Sequence, residues 1–295
     1  MILRQSSLYS NNRGFTLIEL MVSMVLGLLL VAMAVGSIQA TRNLYETDIT
    51  RIEIAHRLRA GMNLMGVQIR QAGELLSNSF PAIELENGAN GDPDLLIIRK
   101  NLLDHAPGLC VDGASGDNFV QISLPGKAGC SFNDTEAAYN AWRDFRIQAG
   151  GEVSAYIWDF VGDTGEQFTY SSEDDISSTG TRTINASSAG WSRDYPANSS
   201  HLYFVEEWRF SLVDSNLQVQ INDDPPNSII SGVDDLQVEL VMNDGTVVNE
   251  LGPMDDWTEL SFIRVILEGT AELSQKSVSR SITNTFFPRN LISKD

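Results

Sequence analysis

The sequence predicts an α+β fold in which one long N-terminal helix packs on an antiparallel β-sheet head. Two observations support this fold class. Apolar residues run from Phe15 to Ile38, and an apolar stripe with helical spacing continues to Ala72 without an intervening proline. After Gly73, short β-like runs alternate with clusters of Gly, Asn, Asp and Ser, which are typical of turns between strands.

The first part of the helix is long enough to cross a membrane. Phe15–Ile38 contains 24 residues and one charge, Glu19, and a helix of that length measures roughly 36 Å against a hydrocarbon core of about 30 Å. Residues 1–14 carry Arg4 and Arg13 and no acid. The positive-inside rule therefore predicts a cytoplasmic N-terminus and a head on the opposite side, although Arg42 weakens the contrast.

Two ordinary interpretations of this segment leave its one charge unexplained. A secretory signal could be cleaved after Ala34 or Ala40, and a plain membrane anchor would need no cleavage. Neither accounts for Glu19 inside an apolar run, where an unpaired carboxylate costs about 2.5–3.5 kcal/mol at mid-membrane and less near an interface.

A third interpretation rests on a family resemblance. The sequence Arg-Gly-Phe-Thr-Leu-Ile-Glu-Leu at residues 13–20 resembles the cleavage and methylation signature of type IV prepilins and of the related pseudopilins of type II secretion. The resemblance implies that a membrane-embedded prepilin peptidase cuts after Gly14 and methylates Phe15. It also implies that Glu19 pairs with the N-terminal amine of a neighbouring subunit during assembly, which lowers the cost of a charge in the membrane.

This resemblance implies a type IV pilin-like fold and a chain of four segments. We expect a leader peptide at 1–14, a transmembrane helix at 15–38, an amphipathic helical spine at 39–73 and a periplasmic β-rich head at 74–295. Cleavage would leave 281 residues with a net charge of -19 - 2 = -21, because Arg4 and Arg13 are removed. Gly27 and Gly36 have two interpretations. One is that they serve a filament by permitting local melting of the helix or close contact between subunits, and the other is that they are present only because glycine is common in membrane helices.

The head is predicted to contain ten strands and two late hairpins. The hairpin turns are Asp214-Ser215-Asn216 and Asn243-Asp244-Gly245. Loops are expected near 86–94, 111–117, 162–166 and 222–228, and the long polar stretch Ser171–Ser200 is expected to be a mobile loop. The predicted strands are Leu95–Arg99, Asn118–Leu124, Val153–Phe160, Gln167–Tyr170, His201–Val213, Leu217–Ile221, Val233–Val241, Thr246–Asn249, Phe262–Glu268 and Val278–Phe286.

Cys110 and Cys130 are the only cysteines, and the predicted topology places both in the oxidising periplasm. We therefore expect a disulfide, with metal binding or catalysis as the less favoured use of the pair. Such a crosslink would stabilise the head by roughly 3 kcal/mol in the chain-entropy model.

Composition and motifs argue against an enzyme, a cofactor site or a nucleic-acid binder. The chain has 39 acidic and 20 basic residues and a net charge of -19, so its field repels phosphate backbones. It lacks His-Glu-x-x-His, Gly-x-Ser-x-Gly and phosphate-binding Gly-Lys-Ser/Thr motifs, and its three histidines are isolated. Calcium binding by the clustered acids is a further hypothesis, although none of the clusters fits the twelve-residue calcium loop. These acids are Asp92/Asp94, Glu173/Asp174/Asp175, Asp223/Asp224, Asp234/Asp235 and Asp255/Asp256.

Three later segments resemble the PilW-like minor pilins: Ile229–Val238, Ile263–Leu267 and Phe286–Asn290. The resemblance implies a minor subunit that joins other minor pilins to initiate or cap a type IV pilus, and so takes part in surface attachment and twitching motility. Its expected partners are prepilin peptidase, minor and major pilins, the inner membrane and a tip adhesin. Its expected location is the inner membrane and then the pilus. The alternatives are a minor pseudopilin of type II secretion and a membrane-anchored binding module or enzyme.

Overall fold

A computed structural model describes residues 16–123, 128–132, 135–176, 180–187, 190–273 and 276–292. The chain divides into two compact units, residues 1–52 and 53–295. The first unit contributes the beginning of one long helix, and the second contains the rest of that helix together with all of the described strands.

The described residues form three α-helices and fifteen strands, and every strand pairing is antiparallel. This confirms the predicted α+β architecture of a long apolar helix followed by an antiparallel β-sheet head. The helices are α1 Leu17–Gln71, α2 Glu136–Gln148 and α3 Arg289–Ile292. The strands are β1 Ile83–Glu86, β2 Leu95–Asn101, β3 Leu109–Val111, β4 Phe119–Ser123, β5 Val153–Asp159, β6 Thr164–Ile176, β7 Thr181–Ala186, β8 Ser200–Tyr203, β9 Val205–Val213, β10 Asn216–Ile221, β11 Asn227–Ser231, β12 Asp235–Met242, β13 Val247–Val248, β14 Leu260–Leu273 and β15 Lys276–Phe286.

The head half of α1 packs on two sheets that share one core. Leu58, Met62, Met65 and Ile69 recur at three- or four-residue spacing and are fully buried, as the apolar stripe predicts. They lie in one cluster with residues from a five-stranded sheet, ordered β1-β2-β9-β10-β11, and from a four-stranded sheet, ordered β13-β12-β14-β15. This cluster is the main hydrophobic core of the head.

Gly73 ends α1, as the sequence predicts. Its φ angle is +72°, a left-handed conformation that glycine adopts without steric cost, and the Asn290 side chain donates a hydrogen bond of 2.8 Å to the Ala72 carbonyl oxygen. A Cβ atom at Gly73 would overlap the indole ring of Trp257, which is buried. The chain therefore needs glycine here for both backbone conformation and packing.

Gly73→Ala should lower the free energy of unfolding of the full chain in detergent by about 2–5 kcal/mol, because it adds left-handed strain and overpacking against Trp257. Gly245→Ala is the matched control, since Gly245 has φ +86° and open space around its Cβ position. The control should cost only about 1–2 kcal/mol. Equal urea midpoint shifts for the two variants would show that the contact with Trp257 contributes nothing.

Residues 102–204 form an inserted lobe between two adjacent strands of the first sheet. β2 pairs directly with β9, and the Leu102 amide donates a 2.8 Å hydrogen bond to the Phe204 carbonyl oxygen where the insertion begins and ends. The lobe contains a six-stranded sheet, ordered β3-β4-β7-β6-β5-β8, and α2. It has its own core, which includes Trp142, Tyr170 and Tyr195.

The prediction of a loop over Ser171–Ser200 is wrong for 171–176, 181–186 and Ser200, which lie in strands, whereas the described residues 187 and 190–199 lie outside the strands. β6 extends from Thr164 to Ile176, which also removes most of the loop predicted at 162–166, and β7 lies beside it. β7 buries Thr181 and Thr183 as well as Ile184, so a polar composition concealed strand residues that lie in the interior. The segment His201–Val213 is likewise two strands, and four strands (β1, β3, β7 and β11) were not predicted.

Helix α2 was also not predicted. Thr135 caps its start by accepting a 3.0 Å hydrogen bond from the Ala138 amide. Ala138, Tyr139 and Trp142 form its buried face, and Tyr139 and Trp142 belong to the core of the inserted lobe.

Both predicted hairpins are present. β9 and β10 are joined through Asp214 and Ser215, whose φ angles are 49° and 56°. β12 and β13 are joined by the turn containing Gly245. Residues that tolerate positive φ thus mark the two turns correctly.

A buried ion-pair network joins β1, β2 and β9. Arg99 is bonded to Glu84 and, at 2.5 Å, to Glu207, and Arg209 donates a second 2.5 Å bond to Glu207. Burial alone would raise the pKa of Glu207, but the charges and hydrogen bonds of Arg99 and Arg209 lower it below its usual value. The network stabilises the sheet at the base of the inserted lobe.

The contribution of Glu207 should be lost in acid. A depressed folded-state pKa means that its stabilisation is present above the unfolded pKa of about 4.3 and disappears as the pH falls through the lower folded pKa. Glu207→Gln should lower the free energy of unfolding by about 3–5 kcal/mol near neutral pH, since it leaves Arg99 incompletely paired. Urea unfolding of both proteins should show this difference shrinking as the pH falls below the unfolded pKa of about 4.3; a difference independent of pH would show that the charge of Glu207 does not stabilise the fold.

Candidate functional site

Thr16 and Glu19 form a reciprocal hydrogen-bonded pair at the start of α1. The Thr16 amide and hydroxyl donate to Glu19 Oε2 over 3.1 and 3.0 Å, and the Glu19 amide donates to Thr16 Oγ1 over 3.3 Å. Since α1 begins at Leu17, these contacts constitute a capping box. They satisfy backbone N–H groups that a helix start otherwise leaves without partners.

The capping box fixes where the only charge of the apolar segment lies. The Glu19 carboxylate turns back towards the N-terminal end of α1, where the helix dipole favours negative charge. The two donors from Thr16 reduce the cost of the carboxylate but supply no opposite charge. The Thr-x-x-Glu spacing at 16–19 is a sequence signal for this geometry, in addition to the need of Glu19 for an opposite charge.

Gly14 and Phe15, the predicted cleavage and methylation residues, lie outside the described residues. The geometry of the site is therefore that of Thr16, Glu19 and the helix that follows them.

The helix after this site has an uncovered apolar surface. Its large apolar side chains from Leu17 to Ile38 are exposed, ranging from 48% for Val35 to 76% for Leu17. By length and composition, α1 is the one helix of the described chain that could cross a membrane. Burial of this surface requires lipid or the helices of other subunits.

The two glycines of this segment lie on open surface. A Cβ atom at Gly27 or Gly36 would meet no other atom within 4 Å, and α1 is helical through both positions. Among the described residues, neither position makes a contact that requires glycine, so the two interpretations of these glycines remain predictions.

The structure joins Cys110 and Cys130 in a disulfide, the pairing that the sequence predicts. The bond connects β3 to the segment containing Phe132, whose ring centroid is 4.2 Å from that of His201. The crosslink therefore lies beside an aromatic cluster at the edge of the inserted lobe.

His201 faces a cavity of about 460 Å³ between the end of α1 and the inserted lobe. Burial lowers the pKa of His201, which favours the neutral imidazole. The cavity lining brings no carboxylate or thiol to this histidine; the lining residues are Leu75, Leu76, Ser77, Ala106, Phe160, His201 and Tyr203. The arrangement is that of an apolar depression with one imidazole.

Several of the paired acids have structural roles. Asp94 is buried and accepts hydrogen bonds from the Gly88 and Val238 amides, while Asp256 caps a short helical turn by accepting from the Thr258 amide. No group of three or more His, Cys, Asp or Glu side chains that could hold a metal ion occurs within the described ranges. The calcium hypothesis therefore gains no site from the described part of the chain.

Comparison with protein-family models finds the prokaryotic N-terminal methylation motif at residues 9–38. Comparison with curated proteins and with solved structures gives no match. The matched residues include the capping box and the start of the exposed apolar segment. The motif and the apolar helix fit a membrane-anchored structural subunit processed by prepilin peptidase and assembled with other pilins. Together they support a type IV pilin-like prepilin, of the pilin or pseudopilin kind.

Proposed function

We propose that the chain is a PilW-like minor pilin, which joins other minor pilins to initiate or cap a type IV pilus. Prepilin peptidase first cleaves the bond between Gly14 and Phe15 and methylates Phe15. The observation that carries this proposal is the N-terminal methylation motif at residues 9–38, which contains both residues of the cleaved bond and Glu19.

The capping box supports a charge-pairing role for Glu19 during assembly. Cleavage would create a new amine on the residue directly before Thr16, at the end of α1 towards which the carboxylate turns. In a filament, the amine of one subunit would bind Glu19 of another and add the positive charge that Thr16 cannot supply. Assembly would also move the apolar surface of α1 from lipid into the filament core, where packing against other helices contributes favourable free energy.

The inserted lobe supports a minor role. A subunit repeated along a filament must fit its head between identical neighbours on every side, whereas a subunit at the tip has one unrestricted side. The lobe of residues 102–204, with its own sheet and core, adds bulk that the tip position accommodates more easily.

Intact-mass and N-terminal analysis of the protein from its host's membranes tests the processing step. The expected product has 281 residues and begins with N-methylated Phe15. A chain that begins at Met1, or after Ala34 or Ala40, would contradict the prepilin assignment and favour a plain anchor or a secreted protein.

Deletion of the gene distinguishes a pilus from a secretion pseudopilus. A minor pilin predicts loss of surface pili with protein secretion intact, and complementation should restore the pili. Loss of secretion with normal pili would instead assign the chain to the type II secretion pseudopilins.

A further inference from the structure

One side of α1 in the head carries two arginines and lies against strand β15. Arg59, Asn63, Gly66 and Arg70 share this side because they recur at three- or four-residue spacing. A Cβ atom at Gly66 would overlap the Phe286 ring, and Arg70 Cζ lies 5.8 Å from the centroid of that ring. The arginine-bearing side of α1 therefore flanks β15.

β15 places a third arginine beside this helix face. Side chains alternate along a strand, so Val278, Arg280 and Phe286 share one face of β15. Val278 and Phe286 are buried in the core that includes α1, whereas Arg280 is exposed. The cross-strand partner of Arg280 is Gly269, which has no side chain to contact it.

We call Arg59, Arg70 and Arg280 the basic strip. Within the described ranges, no ion pair joins any of the three to a carboxylate, and Glu53 of α1 is paired with Arg57. The sequence around Arg280 has the same sign: residues 274–294 contain four cations and no acid, which leaves -19 - 4 = -23 for the rest of the chain. The basic strip is thus a positive region on a strongly negative molecule.

β15 is also an open edge of its sheet. It has 11 residues, pairs with β14 on one side, and is the last strand in the order β13-β12-β14-β15. It contains no proline, and the side chains on its second face are exposed serines and threonines: Ser277, Ser279, Ser281, Thr283 and Thr285. A strand of this kind offers its outer N–H and C=O groups to an added strand.

Charge determines which strand could be added. Two copies of β15 pairing with each other would bring like charges together, which disfavours self-association, whereas an acidic strand would be attracted. We propose that β15 and the basic strip bind an extended acidic segment of a partner protein by strand addition. In the proposed assembly that segment belongs to a neighbouring subunit. Only this identification of the partner rests on the proposed function.

The test uses the full chain in detergent micelles and a fluorescently labelled peptide in which Glu alternates with Val and Thr. Anisotropy should show saturable binding to the wild-type chain. The double variant R59E/R280E should bind the peptide about tenfold more weakly or worse. The control R143E/R193E reverses two arginines of the inserted lobe, the half-buried Arg143 and the exposed Arg193, and should bind like the wild type. Circular dichroism establishes that both variants are folded.

Three further probes can overturn the proposal without bearing on prepilin processing. The same peptide with alternate backbone nitrogens methylated keeps its charge but cannot pair as a strand, so equal binding would exclude strand addition. Duplex DNA that binds through Arg59 and Arg280 as strongly as the peptide would make the strip a general polyanion site. Self-association in sedimentation that R59E/R280E abolishes would make a second copy the occupant. No binding of the acidic peptide to the wild-type chain would also reject the proposal, whether or not Phe15 is methylated.

Discussion

Gly14→Val should abolish processing, so that the membrane-bound chain retains residues 1–14. Glycine has no Cβ atom and lets a protease approach the backbone closely, whereas a β-branched side chain beside the cleaved bond displaces it from the reacting groups. A displacement of about 1 Å is enough to slow a reaction by about 10²-fold. Intact mass should therefore show the full 295-residue chain and no methylated product.

Two matched variants make this result specific. Gly14→Ala is the smaller step at the same position and should impair processing less than Gly14→Val. Gly27→Val introduces the same side chain further along the apolar helix, where the Cβ position is open, and should leave processing unchanged. Normal cleavage of Gly14→Val would reject the prepilin scheme as a whole.

The parts of the fold that depend on local patterns could be predicted. The burial of Leu58, Met62, Met65 and Ile69 follows from helical spacing, and the end of α1 follows from Gly73. α2 also had local signals, since the capping residue Thr135 precedes apolar residues at helical spacing.

The inserted lobe could not be predicted, because the contact that defines it is not local. Ile97 pairs with Arg209 in the antiparallel register of β2 and β9, and nothing in either strand indicates a partner so far along the chain. The strands of the lobe were hidden for a different reason. Thr, Ser and Asp occupy the solvent face of β6, so its composition resembles that of a loop.

The candidate site and the basic strip also differ in whether a local sequence pattern could predict them. The cleavage residues and Glu19 form a contiguous motif, and the capping box could have been found from the spacing of Thr16 and Glu19. The basic strip could not, since Arg59 and Arg280 are brought to one side of the head only by the packing of β15 beside α1.

Glu19→Ala should be cleaved and methylated normally yet fail to enter pili. The substitution removes the carboxylate that would pair with the amine of another subunit. An unpaired charge in an apolar environment costs about 3–5 kcal/mol, so the ratio of sheared surface protein to membrane protein should fall by about 10²-fold or more. Quantitative immunoblotting of the two fractions measures this ratio, and wild-type levels in the surface fraction would reject the charge-pairing role.

Two more variants separate charge pairing from helix capping. Glu19→Gln keeps an acceptor that can complete the capping box but removes the charge, whereas Thr16→Ala removes the capping hydroxyl and keeps the charge. If charge pairing drives assembly, Glu19→Gln should be as defective as Glu19→Ala. Thr16→Ala should retain more incorporation than either Glu19 variant, because loss of a cap costs only about 0.5–2 kcal/mol. The opposite ranking would show that Glu19 acts by ordering the start of α1, and the amine would then need a different partner.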